Sequence, residues 1–256
     1  MKKELCGKTI SASEVLQPKC LNISKAAFAK SLKSARIQDV THHGKWIYVL
    51  TSRGRLLLNL GMGGEILLVT RDTLPDKQRL IFDFTDQTCL SINFWWFGYA
   101  HYVPDHKADS HEMTARLGVN ANELTSKEFK KLLNGRRGRI KSFLLNQANI
   151  AGIGNAYIHD ILYLAGLHPM RTIDTLNNKE INRLVKAIHH GLQPAIDKGG
   201  AFYEVNLLGQ NGGFTRDDIL IGYREEQPCP NCGTGIEKIK TGGTSSFICP
   251  TCQPLN

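Results

Sequence analysis

Four of the seven cysteines stand near the C-terminus in the spacing Cys229-x2-Cys232-x16-Cys249-x2-Cys252, while Cys6, Cys20 and Cys89 are scattered. Each CxxC turn sets two sulfurs about 3.5 to 4 Å apart, the separation that tetrahedral thiolate coordination requires. Four filled positions leave none open for a substrate, so the spacing predicts one structural Zn2+. Between the pairs, Ile236 to Lys240 and Ser246 to Ile248 flank Thr241-Gly242-Gly243-Thr244, the pattern of a short hairpin, and the whole reads as a zinc ribbon. Lys238 and Lys240 suit that ribbon to contact with a nucleic acid or another protein. A pair of redox dithiols is the lesser reading of the same spacing.

The chain around this module has 256 residues, enough to bury a core without disulfide staples. Hydrophobic residues make up 41% and charged residues 21%, which excludes a disordered chain, and no apolar run approaches the roughly 18 residues of a membrane span. Met1-Lys2-Lys3-Glu4-Leu5-Cys6-Gly7 lacks the apolar core of a secretory signal, so the expected location is the cytoplasm, with no membrane partner. There, paired cysteines are metal ligands more often than disulfides. Thirty-two basic side chains against 23 acidic ones leave a net charge of +9, which points to a polyanionic partner.

From Ile37 to Val103 the hydrophobic period is two: 46–50, 56–60, 66–69, 80–84 and 90–94 are short apolar or alternating runs broken by Arg53-Gly54, Gly61 to Gly64 and Asp86-Gln87. They predict antiparallel hairpins closed into a sandwich, with no long helix. After about Pro104 the period changes. Thr125-Ser126-Lys127-Glu128 is a capping box ahead of Phe129, Leu132 and Leu133, with Asn134-Gly135 as the stop. Further helices are expected over 139–145, over 155–165, and from Asn177 onward. The fold class is therefore α+β, an N-terminal antiparallel β-sandwich followed by a helical domain. The expected divisions are 1–104, 105–200 and 201–256, the last holding a glycine-rich loop and the ribbon.

A second constellation is Asn149-Ile150-Ala151-Gly152-Ile153-Gly154-Asn155-Ala156-Tyr157. Two glycines ahead of a helix leave amides bare and let another molecule approach, which suits a phosphate. Arg136-Arg137-Gly138-Arg139-Ile140-Lys141 lies just upstream, four cations in six residues. Asn155 is read either as a simple helix cap or as part of that phosphate site.

The run from Leu145 through Tyr157 to Ala165-Gly166-Leu167-His168-Pro169 resembles the helix-two-turn-helix element of the formamidopyrimidine-DNA glycosylase and endonuclease VIII family. Pro228 to Ile236 and Phe247 to Gln253 are similar to that family's zinc finger, and Leu60-Gly61-Met62-Gly63-Gly64 and Phe97-Gly98 to its β-domain motifs. The resemblance implies base-excision DNA repair: a glycosylase that extrudes an oxidised base, purines favoured, forms a Schiff base at C1′ and cleaves the abasic strand by elimination. Extrusion is needed because the glycosidic carbon is inaccessible in a stacked duplex. The nucleophile is an amine that must be uncharged, as suits an N-terminal amine with a pKa near 8. The implied partner is double-stranded DNA carrying a damaged base or abasic site, gripped by a monomer in a basic cleft. By the same resemblance Lys45 contacts phosphate and assists the chemistry. Asn155 and Gly154 bind the phosphates flanking the lesion, Arg137 and Arg79 contact DNA, and Met62 fills the gap left by the flipped base. Read from the residues alone, Lys45 is a solvated hairpin lysine and Met62 an ordinary core methionine. Gly209 to Phe214 is either a loop closing over the extruded base or a hairpin linker.

Four departures from the family pattern stand out. The family's catalytic Pro and Glu precede the Gly7-Lys8 region, where this sequence has only Met1-Lys2-Lys3-Glu4-Leu5, so the chain is read as N-terminally truncated, with a start codon assigned too far downstream. The competing explanation is a remnant that binds DNA without turnover. Thr244 stands for a phosphate-gripping arginine, Trp95-Trp96-Phe97-Gly98 for an Arg-Arg-Phe-Gly motif, and Asn59 for a histidine. An indole in place of a guanidinium can stack but cannot make the same bidentate contacts. The alternative function is a catalytically inactive or non-enzymatic zinc-ribbon protein that binds nucleic acid.

Overall fold

The computed structural model describes residues 1–95 and 97–255. By packing, the chain divides into two units, Met1–Arg116 with Phe202–Gly212, and Leu117–Ala201 with Gly213–Asn256.

Among the described residues the first unit holds eight strands: β1 (Ile10–Val15), β2 (Ile37–His43), β3 (Trp46–Thr51), β4 (Gly54–Asn59), β5 (Glu65–Thr70), β6 (Leu80–Phe84), β7 (Thr88–Asn93) and β8 (Tyr99–Val103). They form two four-stranded sheets, ordered β1-β6-β7-β5 and β2-β3-β4-β8, with every pairing antiparallel. Phe82, Leu90 and Ile92 from one sheet and Val49, Leu56 and Leu58 from the other enter one shared core, so this is the expected sandwich. Two short helices, α1 (Lys2–Leu5) and α2 (Lys25–Leu32), add Leu5, Phe28 and Leu32 to that core. Between Ile37 and Val103 the described residues hold no α-helix, as expected, and the eight-residue α2 lies ahead of that stretch. Its Ser24 cap is ordinary, but only Phe28 and Leu32 are buried, too sparse a stripe to stand out.

The boundaries drawn by composition at 104 and 200 differ from those drawn by packing. Residues 105–116 stay with the sandwich, where His111 packs on His101 and Trp46. Residues 202–212 return to it, because Leu207 is buried in the sandwich core and its carbonyl accepts from the Leu68 amide at 2.8 Å. Part of the glycine-rich loop is therefore a tethered hairpin. The Asn206 side chain accepts from the amides of Leu208 and Gln210 and closes its turn.

The second unit is helical. β9 (Val119–Asn120) pairs in parallel with β10 (Ile150–Ala151), and the helices are α3 (Ser126–Leu133), α4 (Ile140–Leu145), α5 (Ile158–Leu164) and α6 (Asn178–Asp197). α3 begins with the expected capping box, Thr125 Oγ1 accepting from the Glu128 amide while Glu128 accepts from the Thr125 amide. Asn177 caps α6 in the same way. Leu184, Val185 and Ile188 of α6 meet Ile161 and Leu162 of α5 and Phe129 of α3 in the core. β11 (Glu237–Lys240) and β12 (Ser245–Ile248) form the ribbon hairpin. No helix among the described residues is long and apolar enough to cross a membrane.

Candidate nucleic-acid interface and metal centre

The four sulfurs of Cys229, Cys232, Cys249 and Cys252 lie within 4.8 Å of one another. Three of their separations are 3.4, 3.5 and 3.8 Å. A tetrahedron with metal–sulfur bonds of about 2.3 Å has an edge of about 3.8 Å, so the donor set fits a thiophilic ion held by four thiolates. The shell around it is polar where it must be. The Cys252 amide donates to Cys249 Sγ at 3.4 Å, the Asn231 side chain to Cys252 Sγ at 3.4 Å, and the Tyr163 hydroxyl lies 3.3 Å from Cys229 Sγ. Gln253, fully buried, accepts from the Cys249 amide and donates to the Leu167 carbonyl at 2.9 Å, locking the second knuckle onto the turn that follows α5.

The 146–157 segment is shaped by Gln147. Its amide donates to the carbonyls of Leu145 and Ile153 and accepts from the Gly152 amide, folding the chain into a double turn that Gly152 permits with φ of +112°. α5 starts at Ile158, three residues later than expected, with Tyr157 as its cap residue. Asn155 is thus not the helix cap and stands in the turn itself. Its Oδ1 is buried without a partner, and its Nδ2 donates only a long 3.4 Å bond to the Tyr223 hydroxyl. The Gly154 and Asn155 amides also have no partner among the described residues. A side-chain Nδ2 spent on one long bond, set beside two free backbone N–H groups, can donate to an incoming phosphate, whereas the acceptor Oδ1 cannot.

Tyr223 was not legible as a site residue. It reaches Asn155 because the Asp160 carboxylate accepts from the amides of Leu220, Ile221 and Gly222 at 2.8 to 2.9 Å, pinning that segment to α5. Its backbone is left-handed at φ +60°, a strained state for a tyrosine, and its ring stands edge-on to His159 at 5.4 Å. Arg136, Arg137 and Arg139 are all exposed and, among the described residues, have no carboxylate partner. Lys141, the fourth cation of that cluster, is buried instead: it donates to Thr241 Oγ1, Thr244 Oγ1 and the Ser245 carbonyl at 2.7 to 3.0 Å. Burial pushes its pKa down to about 8.

In the first unit, Lys45 follows Gly44 at the β2–β3 turn, where Gly44 has φ +55°. Its side chain is exposed, yet the surrounding protein desolvates the ammonium and lowers its pKa from the ordinary lysine value. Arg79 donates from Nε to the Phe94 carbonyl at 3.3 Å, which puts a cation at the root of the β7–β8 loop. Met62 is 64% exposed and is not a core residue. Trp95 and Phe97 are also exposed, and Trp96 lies outside the described residues. Asn59 is half-buried, its Oδ1 accepting from the Gly61 amide at 2.9 Å. The structure therefore sets the expected contact residues in two groups, Lys45, Met62 and Arg79 on the sandwich unit, and Arg137, Gly154 and Asn155 on the helical unit.

A sandwich of two antiparallel sheets, a helical unit with a phosphate-ready double turn and a four-thiolate ribbon together define a zinc-finger protein of the helix-two-turn-helix class. Family models match residues 1–93 as the formamidopyrimidine-DNA glycosylase N-terminal domain, 117–206 as the formamidopyrimidine-DNA glycosylase H2TH domain, and 226–255 as the zinc finger found in FPG and IleRS. The formamidopyrimidine-DNA glycosylase of Pelotomaculum thermopropionicum is 35% identical over 263 residues, covering 100% of this chain and 95% of the relative. That of Bacillus subtilis is 32% identical, covering 96% and 92%. Among solved structures, Lactococcus lactis Fpg in complex with abasic-site DNA superposes with a TM-score of 0.91 at 26% identity, over 99% of this chain and 95% of that one. The same protein with an N7-benzyl-Fapy-dG DNA gives 0.91 at 27% identity and equal coverage. The chain belongs to the formamidopyrimidine-DNA glycosylase family.

Proposed function

We propose that this protein is a DNA glycosylase of base-excision repair that removes oxidised bases, purines in preference, and cleaves the strand at the resulting abasic site. The observation that carries the reading is the whole-length likeness to a protein solved on abasic-site DNA, spanning both units and the ribbon. A free-standing zinc-ribbon module would share the ribbon alone.

The residues give that reading a physical form. Base extrusion exposes the sugar carbon, at the cost of unstacking that contacts to the backbone must repay. Asn155 and the Gly154 amide hold a phosphate beside the lesion, and Arg137 adds a cation with no internal partner to give up. Lys45 places a second cation on the strand from the sandwich unit, its pKa lowered from the ordinary lysine value by burial. Arg79 contributes a further backbone contact, and Met62 enters the space the base leaves. The four cysteines hold one Zn2+, which supplies structure only, since no coordination position is left open. The protein acts as a monomer on duplex DNA in the cytoplasm.

The test is a set of anisotropy titrations with an abasic duplex, an 8-oxoguanine duplex, the undamaged duplex and a single-stranded RNA, all at one stated salt concentration. The two lesion duplexes are expected to bind tighter than the others. Equal affinity for all four would favour the binding module over the repair enzyme.

A further inference from the structure

From Leu16 to Gln38 the chain carries Lys19, Lys25, Lys30, Lys33 and Arg36 and no acidic residue. The fold fastens the end of α2 to the β3–β4 turn. Arg53 of that turn donates from Nη1 to the Lys33 carbonyl at 2.8 Å. Arg36 and Ser52 exchange bonds, the Arg36 amide giving to Ser52 Oγ at 3.0 Å and the Ser52 amide to the Arg36 carbonyl at 2.9 Å. Lys25, Lys30, Lys33, Arg36 and Arg53 are all exposed, and none has a carboxylate partner among the described residues. Asp39 of β2 and Asp86 of the β6–β7 turn are already held, by Lys2 and Lys8. Beside Arg36 opens a cavity of about 450 Å³, lined also by Cys6, Gly7, Ile37 and Gln38.

Strand β3 separates this end of the sandwich from the other. Its first residue follows Lys45, and its last leads into Ser52 and Arg53, so the two turns stand a strand length apart, about 20 Å. A duplex is stiff over about 50 nm, and one held at Lys45 does not turn back to reach Arg53. We infer that the α2 end of the sandwich is an interaction surface for an acidic, extended segment of a partner protein. Five cations with no internal partner give up no ion pair on binding, and together they draw in a polyanion. A second duplex would meet the lysines, but it is a rigid rod with its phosphates outside and has nothing to place in the cavity beside Arg36. An extended peptide turns alternate side chains to one face about 6.7 Å apart. On α2 the rise from Lys25 to Lys30 is about 7.5 Å and from Lys30 to Lys33 about 4.5 Å, within an arc of about 140°. Ala26 lies in the same arc, exposed, and its methyl leaves the peptide backbone room to approach. A further side chain then enters the cavity, under the Arg36 guanidinium. This surface goes beyond the repair reading and does not depend on it.

The experiment titrates the 256-residue chain into a peptide of about twelve residues, labelled with a neutral fluorophore, in which Asp alternates with Ser and a Phe follows the last Asp. The reference peptide has Asn for every Asp. At low salt the Asp peptide should bind at least about fivefold tighter, and the difference should shrink as salt is raised. Lys30→Glu combined with Lys33→Glu should weaken the Asp peptide by about fivefold or more, with circular dichroism and abasic-duplex binding unchanged. Arg36→Gln should weaken it as well and leave the Asn peptide as it was. The chain saturated with abasic duplex should still take up the Asp peptide, its dissociation constant within about tenfold of that for the free chain. A smaller difference between the two peptides, or a smaller loss in the double variant, overturns the inference. Displacement of the peptide by the duplex overturns it too, since the peptide then sits on the duplex's own face. A second equivalent of undamaged duplex, bound by the unaltered chain and lost in the double variant, gives the surface to nucleic acid instead. None of these outcomes touches the repair reading, which the preference for lesion duplexes tests separately.

Discussion

The Lys141 ammonium sits 3.0 Å from the Thr244 hydroxyl, so a cation from the basic cluster ahead of α4 is buried under the turn of the ribbon hairpin. Thr241 and the Ser245 carbonyl complete its acceptors, and no carboxylate shares it among the described residues. Thr244 is itself exposed, and its hydroxyl reaches back to hold a lysine from elsewhere in the fold.

Lys141→Ala removes a buried aliphatic stem and leaves three acceptors without their donor. The expected destabilisation is about 2 to 4 kcal/mol, read from urea unfolding with an unchanged m-value. A loss below about 0.5 kcal/mol would mean that the hairpin turn does not depend on this contact.

Stability should fall on acidification through the histidines. His101 and His111 are buried, their rings bonded at 2.8 Å, with Trp46 packed on both. Burial, and then the neighbouring His111, pushes His101 down to about 4, and burial pushes His159 down to about 4 as well. Both are therefore neutral in the fold while the unfolded chain takes up protons near 6.5. Their contribution is complete above about pH 6.5 and is lost progressively down to about pH 4, where it levels off. Thermal midpoints measured across this window should drop steadily, and His101→Phe should flatten the slope. A flat profile in the unaltered chain would contradict the neutral assignment.

Removing one thiolate should release the ion. Cys232→Ser is expected to lose stoichiometric zinc by elemental analysis and to weaken binding to the abasic duplex, because the hairpin depends on the metal for its fold. Full zinc content with unaltered DNA affinity would argue against the four-thiolate assignment.

Asn155→Ala should weaken abasic-duplex binding by about 1 to 3 kcal/mol, the worth of a charge-assisted bond. Lys45→Ala and Arg137→Ala should each weaken binding and reduce the salt dependence by close to one counterion. Unchanged salt slopes would remove these cations from the DNA face.

Gly98→Ala would put a methyl 2.1 Å from the Phe94 ring, inside the buried root of the loop that carries Trp95. A destabilisation of at least about 2 kcal/mol is expected in urea titration, and wild-type stability would show that the loop reshapes at little cost.

What could be read from the chain was mostly local. The capping box at Thr125 and Glu128, the period-two runs of the sandwich and the cysteine spacing each encode their geometry within a few residues, and each is found in place. β1, by contrast, was invisible because Ile10–Val15 buries only its two ends, and its partner β6 lies far along the chain. α5 was expected three residues early because Gln147 spends its amide on a double turn that delays the helix. Lys141 looked like its exposed neighbours Arg137 and Arg139, and Tyr223 like any loop tyrosine. Only Thr244, about a hundred residues away, and Asp160, some sixty residues away, decide otherwise.

The buried Gln253 amide joins the second cysteine knuckle to the Leu167 carbonyl, in the turn that follows α5, so an ion held by the four thiolates would brace that end of the helix. The apparent stability of that helix end then rises with the logarithm of free zinc, as for any ligand bound only by the folded state. In a cell short of the metal, the protein would grow scarce through unravelling and turnover well before any defect in its encounter with DNA was felt.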